Sequence, residues 1–437
     1  MPIAKFDTLS TEYLQGNYIA WVEYPVKGSY AYLEPVAYLY ERLRRFIYDL
    51  HLRYGHEPIL FPSLIPISLF RKEKEFFKGF SPEAYLVEKT LQGKQFEDPL
   101  VLRPTSEVPI YHIFSKIIRS YRQLPKKVFQ VVTAYRCETK QTTIFLRHRE
   151  IFGFVEAHTF LESKEDANRQ MGEALNLYRE ILDTLLIPYV EIEIPKEELF
   201  PGAEYQYDMI TFIEKEGIPK VLELASIINL GQRFSKPFGI VFKDKEEKTQ
   251  YVWQVTYGIG IDRIIGAALS LFRDETGYIL PPVMLSGRLL PKIPIIPVNN
   301  AKEEIEFARE IARELSALGN IVVDDRGQYT YGEKLYYWEK RWGVPIRVEI
   351  GPKEIKEGFI TIATRKSLNI GKVEADKDFV KVIEELAARV TEVLKERVWK
   401  EVKLELKNSD GELLGTIIGG NIDLDQFIGQ NLYGRKF

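Results

Sequence analysis

A single cysteine, Cys137, in 437 residues excludes an intramolecular disulfide, and five scattered histidines leave no Cys/His spacing for a zinc module. No run approaches the about 18–20 consecutive apolar residues of a membrane span, and the opening MPIAKFDTLS lacks the apolar core of a secretion signal. A cytoplasmic protein without a membrane span or a structural metal is therefore expected. There is no internal repeat and no low-complexity tract. A large charge of either sign is also missing: 60 Lys and Arg stand against 63 Asp and Glu, a net charge of −3. That balance argues against a DNA-coating protein while leaving room for a local basic patch. What is present is an ordinary globular composition, 45% apolar and 28% charged, on a chain about three times the length of a typical domain.

The chain changes rhythm near Pro291. Before it, helices mix with many short β-rich runs. PVAYLYERLRRFIYDLHLRYG carries Val36, Leu39, Leu43, Ile47 and Leu50 on one stripe and closes on Gly55, which predicts a long amphipathic helix. EPILFPSLIP follows, an apolar strand whose Pro62 and Pro66 restrict it to a sheet border, where it could pair across a dimer. After Pro291, strand KIPIIPV leads to a helix with Ile305, Ala308, Ile311, Leu315 and Leu318 on one face, ending at Gly319. Strand IVVDD, a helix over 331–342, strands VPIRVEI and FITIATR and a long helix over about 378–399 complete an α/β pattern with a mixed or parallel sheet. In the tail from Lys400, VKLEL and LLGTII are candidate hairpin strands.

Three segments depart from what a core alone selects. In LRPTSEV, Arg103, Thr105, Ser106 and Glu107 precede an amphipathic run; a Pro-Thr-Ser-Glu sequence is also an ordinary capped helix start. The segment VVTAYRCETKQTTIFLRHREIFGFVEAHTF is read as two strands joined by a polar loop over about 140–143. By the period of two, Arg136 and Glu138 share a face, Arg147 and Arg149 share another, and Phe152, Phe154, Glu156 and His158 align. It lies in a basic stretch that also holds Arg119, Arg122, Lys126, Lys127 and Lys140. Planar guanidinium forks beside an aromatic ring suit a triphosphate and a purine. The alternative is a salt-bridged exposed face pairing Arg136 with Glu150 and Arg149 with Glu138. The third segment, WQVTYGIGIDRIIGAAL, turns from strand to helix through Gly258 and Gly260, with Arg263 at the helix start where anions are favoured. It lacks the third glycine and the βαβ setting of a dinucleotide fold.

Together these segments resemble the class II aminoacyl-tRNA synthetases, and in detail their prolyl branch of the archaeal and eukaryotic type. EPILFPSLIP is similar to motif 1, with the family proline at Pro62. AYRCETK with LRHREIFGFVEAHTF is similar to motif 2, and GIGIDR to motif 3 with its arginine at Arg263. LRPTSE, FPGAEY over Phe200–Tyr205 and NLGQRF over Asn229–Phe234 resemble blocks of the prolyl branch, and DDRGQYTYGEKLYYWEKRWGVPIRVEIGP resembles the class IIa anticodon-binding domain. Three departures stand out. Ser226, Ile227 and Ile228 occupy the place of a Thr-x-His before Asn-Leu-Gly. GIGIDR is spelled as in the bacterial prolyl enzymes. The tail lacks the cysteines of a C-terminal zinc module and ends in Phe437 rather than tyrosine.

The resemblance implies an α+β catalytic domain built on an antiparallel sheet (1–288), an α/β anticodon-binding domain (289–399) and a small, degenerate, metal-free α+β extension (400–437), in a homodimer formed through motif 1. It implies ATP-dependent activation of L-proline to prolyl-adenylate and transfer to tRNA(Pro), with Mg²⁺ accompanying ATP beside Glu150 or Glu223. Arg136 and Arg263 would be catalytic. Arg136, Glu138, Arg147, Phe152, Gln254, Thr256 and Arg263 would bind ATP. Thr105, Glu107, Arg136, Phe154, Glu156, His158 and Ser226 would bind proline, and Arg326, Glu339, Arg347 and Lys353 would face tRNA. Too little chain separates Glu156 from Arg263 for an editing insertion. The competing expectation is a paralogue with another amino-acid specificity or a non-catalytic RNA-binding role.

Overall fold

The computed structural model describes residues 7–215, 218–285 and 292–398, and beyond them the backbone of short strands within 405–436. Helix α1 (Glu34–Arg53) buries Val36, Leu39, Leu43, Ile47 and Leu50, the predicted stripe, with Pro35 in its first turn, where a missing N–H costs nothing. The motif 1 segment follows as two short strands, β1 (Glu57–Pro58) and β2 (Leu64–Pro66). β3 (Tyr85–Lys89) and β4 (Gln95–Leu102) join β2 in a small antiparallel sheet, ordered β2-β4-β3, ahead of helix α2 (Glu107–Ile117).

The main sheet is then assembled from β5 (Lys126–Tyr135), β6 (Glu150–Leu161), β7 (Val190–Glu193), β8 (Tyr205–Lys215), β9 (Ile218–Gly231) and β10 (Trp253–Gly260). Helix α3 (Lys164–Thr184) follows β6, and α4 (Ile261–Leu271) follows β10 without a break. Strands run in the order β7-β8-β9-β10-β6-β5-β1, all antiparallel except the last pair, where Glu57 sits beside Val128. The proline-bearing strand is thus at the border, as its sequence requires.

Alternation sorts this sheet's side chains between two faces. Val155, Ala157, Ile227, Val255, Tyr257 and Ile259 enter one apolar core with helices α1, α3 and α4. The intervening residues, including Glu156, His158, Ser226, Ile228 and Thr256, face the other way, toward a second core built on Phe76, Phe114 and Phe234 and toward the cleft that opens beside it.

The C-terminal domain holds β11 (Ile293–Pro297), α5 (Lys302–Glu314), β12 (Ile321–Val323), β13 (Ile346–Ile350), β14 (Ile360–Thr364), β15 (Lys372–Ala375) and α6 (Phe379–Val398). Its five strands run β12-β11-β13-β14-β15, parallel around β11 and antiparallel from β13 onward. The predicted stripe is buried at Ala308 and Ile311 of α5 and at Leu315 and Leu318 of the 3-10 turn that continues it, which Gly319 ends at φ +99°. The two predicted tail strands do pair with each other, as β16 (Glu405–Lys407) and β17 (Leu413–Gly420). They also extend the main sheet, because β17 lies antiparallel to β7 with Ile417 beside Ile192.

Candidate active site

The cleft is floored by side chains that cross-strand register places in rows. One row reads Asp208, Ser226, Gly258, Glu156 and Gln130, on β8, β9, β10, β6 and β5 in turn. The next, two residues along, reads Gln206, Ile228, Thr256 and His158. Gly258 keeps the middle of the floor low: a Cβ there would lie 3.0 Å from the Val155 carbonyl oxygen.

At one end stands an acidic pair. Glu107 and Glu156 are both 3% exposed. Thr105 Oγ1 donates to Glu107 Oε2 at 2.6 Å and lies 3.3 Å from Glu156 Oε2, which also accepts from the Ser106 amide; Gln130 Nε2 donates to Glu156 Oε1. Burial and the neighbouring Glu156 charge push the Glu107 carboxyl above its ordinary range. Burial alone would raise Glu156 as well, but His158, the Ser106 amide and Gln130 outweigh it and hold that carboxyl low. His158 Nε2 stands 3.7 Å from Glu156 Oε2, an electrostatic contact beyond hydrogen-bond length. The capping explanation of Pro-Thr-Ser-Glu therefore fails. Thr105 bonds the acids, and the buried Ser106 hydroxyl caps nothing and has no partner among the described residues.

Beside them come the arginines. Arg136, just past β5, donates from Nε to the Pro104 carbonyl, and its guanidinium lies 5.4 Å from the Phe154 ring centre and 5.7 Å from that of Phe80. Burial, and then the charge of Arg263, work against its protonation, so the two guanidiniums face one space. Arg263, in the first turn of α4, donates from Nη1 to both the carboxylate and the carbonyl of Glu223 at 2.8 Å. Arg147 approaches Glu138 at 3.5 Å, and Glu138 is raised chiefly by burial. The salt-bridged alternative is not formed: Arg149 bonds Tyr85 and Cys137 instead of Glu138. Asp262 helps fix the site by accepting from the Gly153 amide at 2.9 Å and from Tyr32.

Thr105, Glu107, Arg136, Glu138, Arg147, Phe154, Glu156, Ser226, Thr256 and Arg263 thus line one cavity, together with Glu223 and Ile228. Four expected residues are outside that lining. Phe152 packs on Tyr32, 5.0 Å between ring centres, because the β5–β6 ladder shifts register between the pairs Val132–Phe154 and Ala134–Ile151; Ile151 then lines the cleft in its place. Gln254, one row beyond Thr256 on the same face of β10, is fully buried with its amide unpartnered among the described residues, and His158 is a fully buried support bonded to Tyr111 and Thr256. Glu150 is likewise outside the cleft.

Phe80, Gln206 and Asp208 line the cleft without having been singled out. Phe80 comes from a helix distant in sequence, whereas the period of two from Gln206 to Asp208 was a usable signal. In the C-terminal domain, Arg347 is buried between Glu339 and Glu349, Lys353 pairs on the surface with Glu374, and Arg326 bonds Asp324 and stacks 3.9 Å from the Tyr337 ring centre.

Residues 85–272 match the class II tRNA synthetase core domain (G, H, P, S and T), and residues 292–403 match the anticodon binding domain. The chain is 37% identical to the proline–tRNA ligase of Methanocaldococcus jannaschii over 405 residues, covering 91% of this chain and 85% of that one. This chain belongs to the prolyl-tRNA synthetases. The proline–tRNA ligase of Ignicoccus hospitalis is also 37% identical, over 92% of this chain and 82% of its own. Among solved structures, prolyl-tRNA synthetase of Giardia lamblia in complex with prolyl-adenylate superposes with a TM-score of 0.81 at 30% identity, covering 90% of this chain and 82% of that one. The enzyme of Cryptosporidium parvum complexed with L-proline and AMP superposes at 0.78 and 26% identity, over 90% and 80%. The prolyl-tRNA synthetase fold, an antiparallel-rich class II core followed by an anticodon-binding domain, is thus the fold of this chain, and its activity is that of a proline–tRNA ligase. Among the described residues no helix is long and apolar enough to cross a membrane.

Proposed function

We propose that the cleft binds ATP at its arginine end and L-proline at its acidic end, and joins them before passing the prolyl group to tRNA(Pro). The observation that carries this reading is the convergence of Arg136, Arg147 and Arg263, distant in the chain, on one cavity that Glu107 and Glu156 also line. In the first step a proline carboxylate oxygen attacks the α-phosphorus of ATP and pyrophosphate leaves. Two mutually repelling anions must be aligned, and fixed guanidiniums supply that alignment and stabilise charge gathering on phosphorus. Arg136, sandwiched near Phe80 and Phe154, sits between the two ends and serves both substrates. Arg147 and Arg263 hold the outer phosphates and the adenine side. Glu107, oriented by Thr105, receives the secondary ammonium, while Phe154 and Ile228 wall the pyrrolidine ring. In the second step a terminal ribose hydroxyl of tRNA takes the acyl group and AMP leaves.

Mg²⁺ accompanies ATP in this reading and, when bound, offsets phosphate charge. Glu138 and Glu223 are the cleft carboxylates beside the arginines, and since Arg147 and Arg263 already engage them, phosphate oxygens would supply most of its ligands. Arg326, near the exposed Tyr329, and Lys353 are the surface cations proposed to meet tRNA, with Arg347 and Glu339 setting the shape beneath. A cytoplasmic homodimer paired along the motif 1 border completes the proposal.

Exchange of labelled pyrophosphate into ATP tests it. Exchange should depend on L-proline in preference to every other standard amino acid, and R136A or R263A should lower it about 10²–10³-fold, the scale of losing one preorganised charge stabiliser. Stronger exchange with a different amino acid would redirect the specificity, and no exchange with any would leave the chain without the proposed activity.

A further inference from the structure

Asp208 is a carboxylate at the cleft wall, 1% exposed, and none of the roles above uses it. It lies directly opposite Ser226 across the β8–β9 ladder, with Gln206 opposite Ile228 one step along. Its Oδ1 accepts from Ser226 Oγ at 2.6 Å and from Gln206 Nε2 at 2.7 Å, and Gln206 is fixed in turn by the Phe200 amide, which donates to its Oε1 at 2.8 Å. A serine hydroxyl has one proton and two lone pairs. Committing the proton to Asp208 leaves the Ser226 oxygen as an acceptor on the cleft side, beside Ile228, which has neither donor nor acceptor.

We infer that Asp208 is a positioning residue for amino-acid selection: it holds Ser226 as a hydrogen-bond acceptor for the substrate's ammonium, at the opposite end of the floor row from Glu156. The cation is then met by acceptors from two sides, Glu107 and Ser226. A ligand of the same shape without an N–H finds Ser226 with no proton to give it. This inference rests on proline being the amino acid held in the cleft, so proline-dependent exchange by the unaltered enzyme is measured first and tests that reading separately.

The decisive measurement compares D208N, S226A and the double variant for KM of proline, KM of ATP, and inhibition by (S)-tetrahydrofuran-2-carboxylate, in which a ring oxygen replaces the ammonium. D208N should raise the proline KM about tenfold, the scale of one charge-assisted hydrogen bond, with the ATP KM within about twofold. The preference for proline over the oxygen analogue should narrow by the same factor. S226A should do likewise, S226T should restore the preference, and the double variant should be no worse than the poorer single. Effects of D208N and S226A that multiply, parallel changes in both KM values, or an unchanged proline preference would each overturn the inference. If D208N does not fold, D208S is the second neutral variant, and a wild-type preference in S226A is alone sufficient to refute it.

Discussion

Thr105 has one proton and two carboxylates within reach, and its choice sets how the acidic end of the cleft titrates. It donates at 2.6 Å to Glu107, the acid that burial pushes upward, and so partly offsets that rise. If Glu107 must be ionised to receive the substrate cation, proline activation weakens as pH falls through its raised pKa. T105V removes a bond that favours the charged form, so the acid limb of kcat/KM for proline should move to higher pH while the ATP KM stays put; a pH profile of proline-dependent exchange checks this. Individual side chains were unevenly legible. Arg136 and Arg147 were readable because guanidiniums on half-buried strands demand anions, and Arg263 because it opens a helix after a glycine turn, where anions are favoured. Thr105 and Glu107 were ambiguous because a site and a helix cap are spelled alike, and only the geometry separates them.

Elements were legible where their period is long and unbroken. The stripe of α1 predicted its own burial, and the 3.6-residue spacing of α5 did the same. The β5–β6 ladder was not, because a register irregularity carries no sequence mark and moved Phe152 out of the cleft and Ile151 in. The corner between α1 and β1 holds a further feature. His51 stacks on Phe129 at 4.8 Å and contacts the Ile47 carbonyl, while His56 meets Tyr257. Burial lowers His51 to about 3 and His56 to about 4, against 6.5 for a free imidazole. Both are neutral when folded, whereas the unfolded chain takes up protons below about pH 6.5, so their contribution to stability is lost as pH falls from 6.5 toward 3–4. Urea midpoints of the parent should therefore drop between pH 7 and pH 5. H51F, which has no proton to gain, should show a shallower drop over the same interval.

At the scale of the whole molecule, the two domains meet through a buried ion pair. Arg365 of the C-terminal domain, 1% exposed, donates to Asp274 Oδ1 at 2.9 Å and to the carbonyls of Tyr278 and Glu339, and Ser367 donates to Asp274 Oδ2. Tyr13 donates to the Lys340 carbonyl across the same joint. Removing one partner of such a pair strands the other, at about 3–5 kcal/mol. R365A should therefore lower the melting temperature and separate the unfolding of the two domains in a calorimetric scan. It should also reduce tRNA charging more than pyrophosphate exchange, since the cleft lies within the first domain. The division near Pro291 was legible from the change of rhythm, but this joint was not: nothing near Asp274 announces a partner 91 residues away.

The rows under the cleft bear on how such an enzyme can acquire a new preference. Five backbones, locked to one another by their ladders, act as a fixed pegboard on which Asp208, Ser226, Glu156 and Gln130 are pegs and Gly258 is the hole left bare between them. Swapping a peg alters which amino acid is welcome without bending the board, and slipping any strand by one notch would turn its pegs to the far side and erase the pocket altogether.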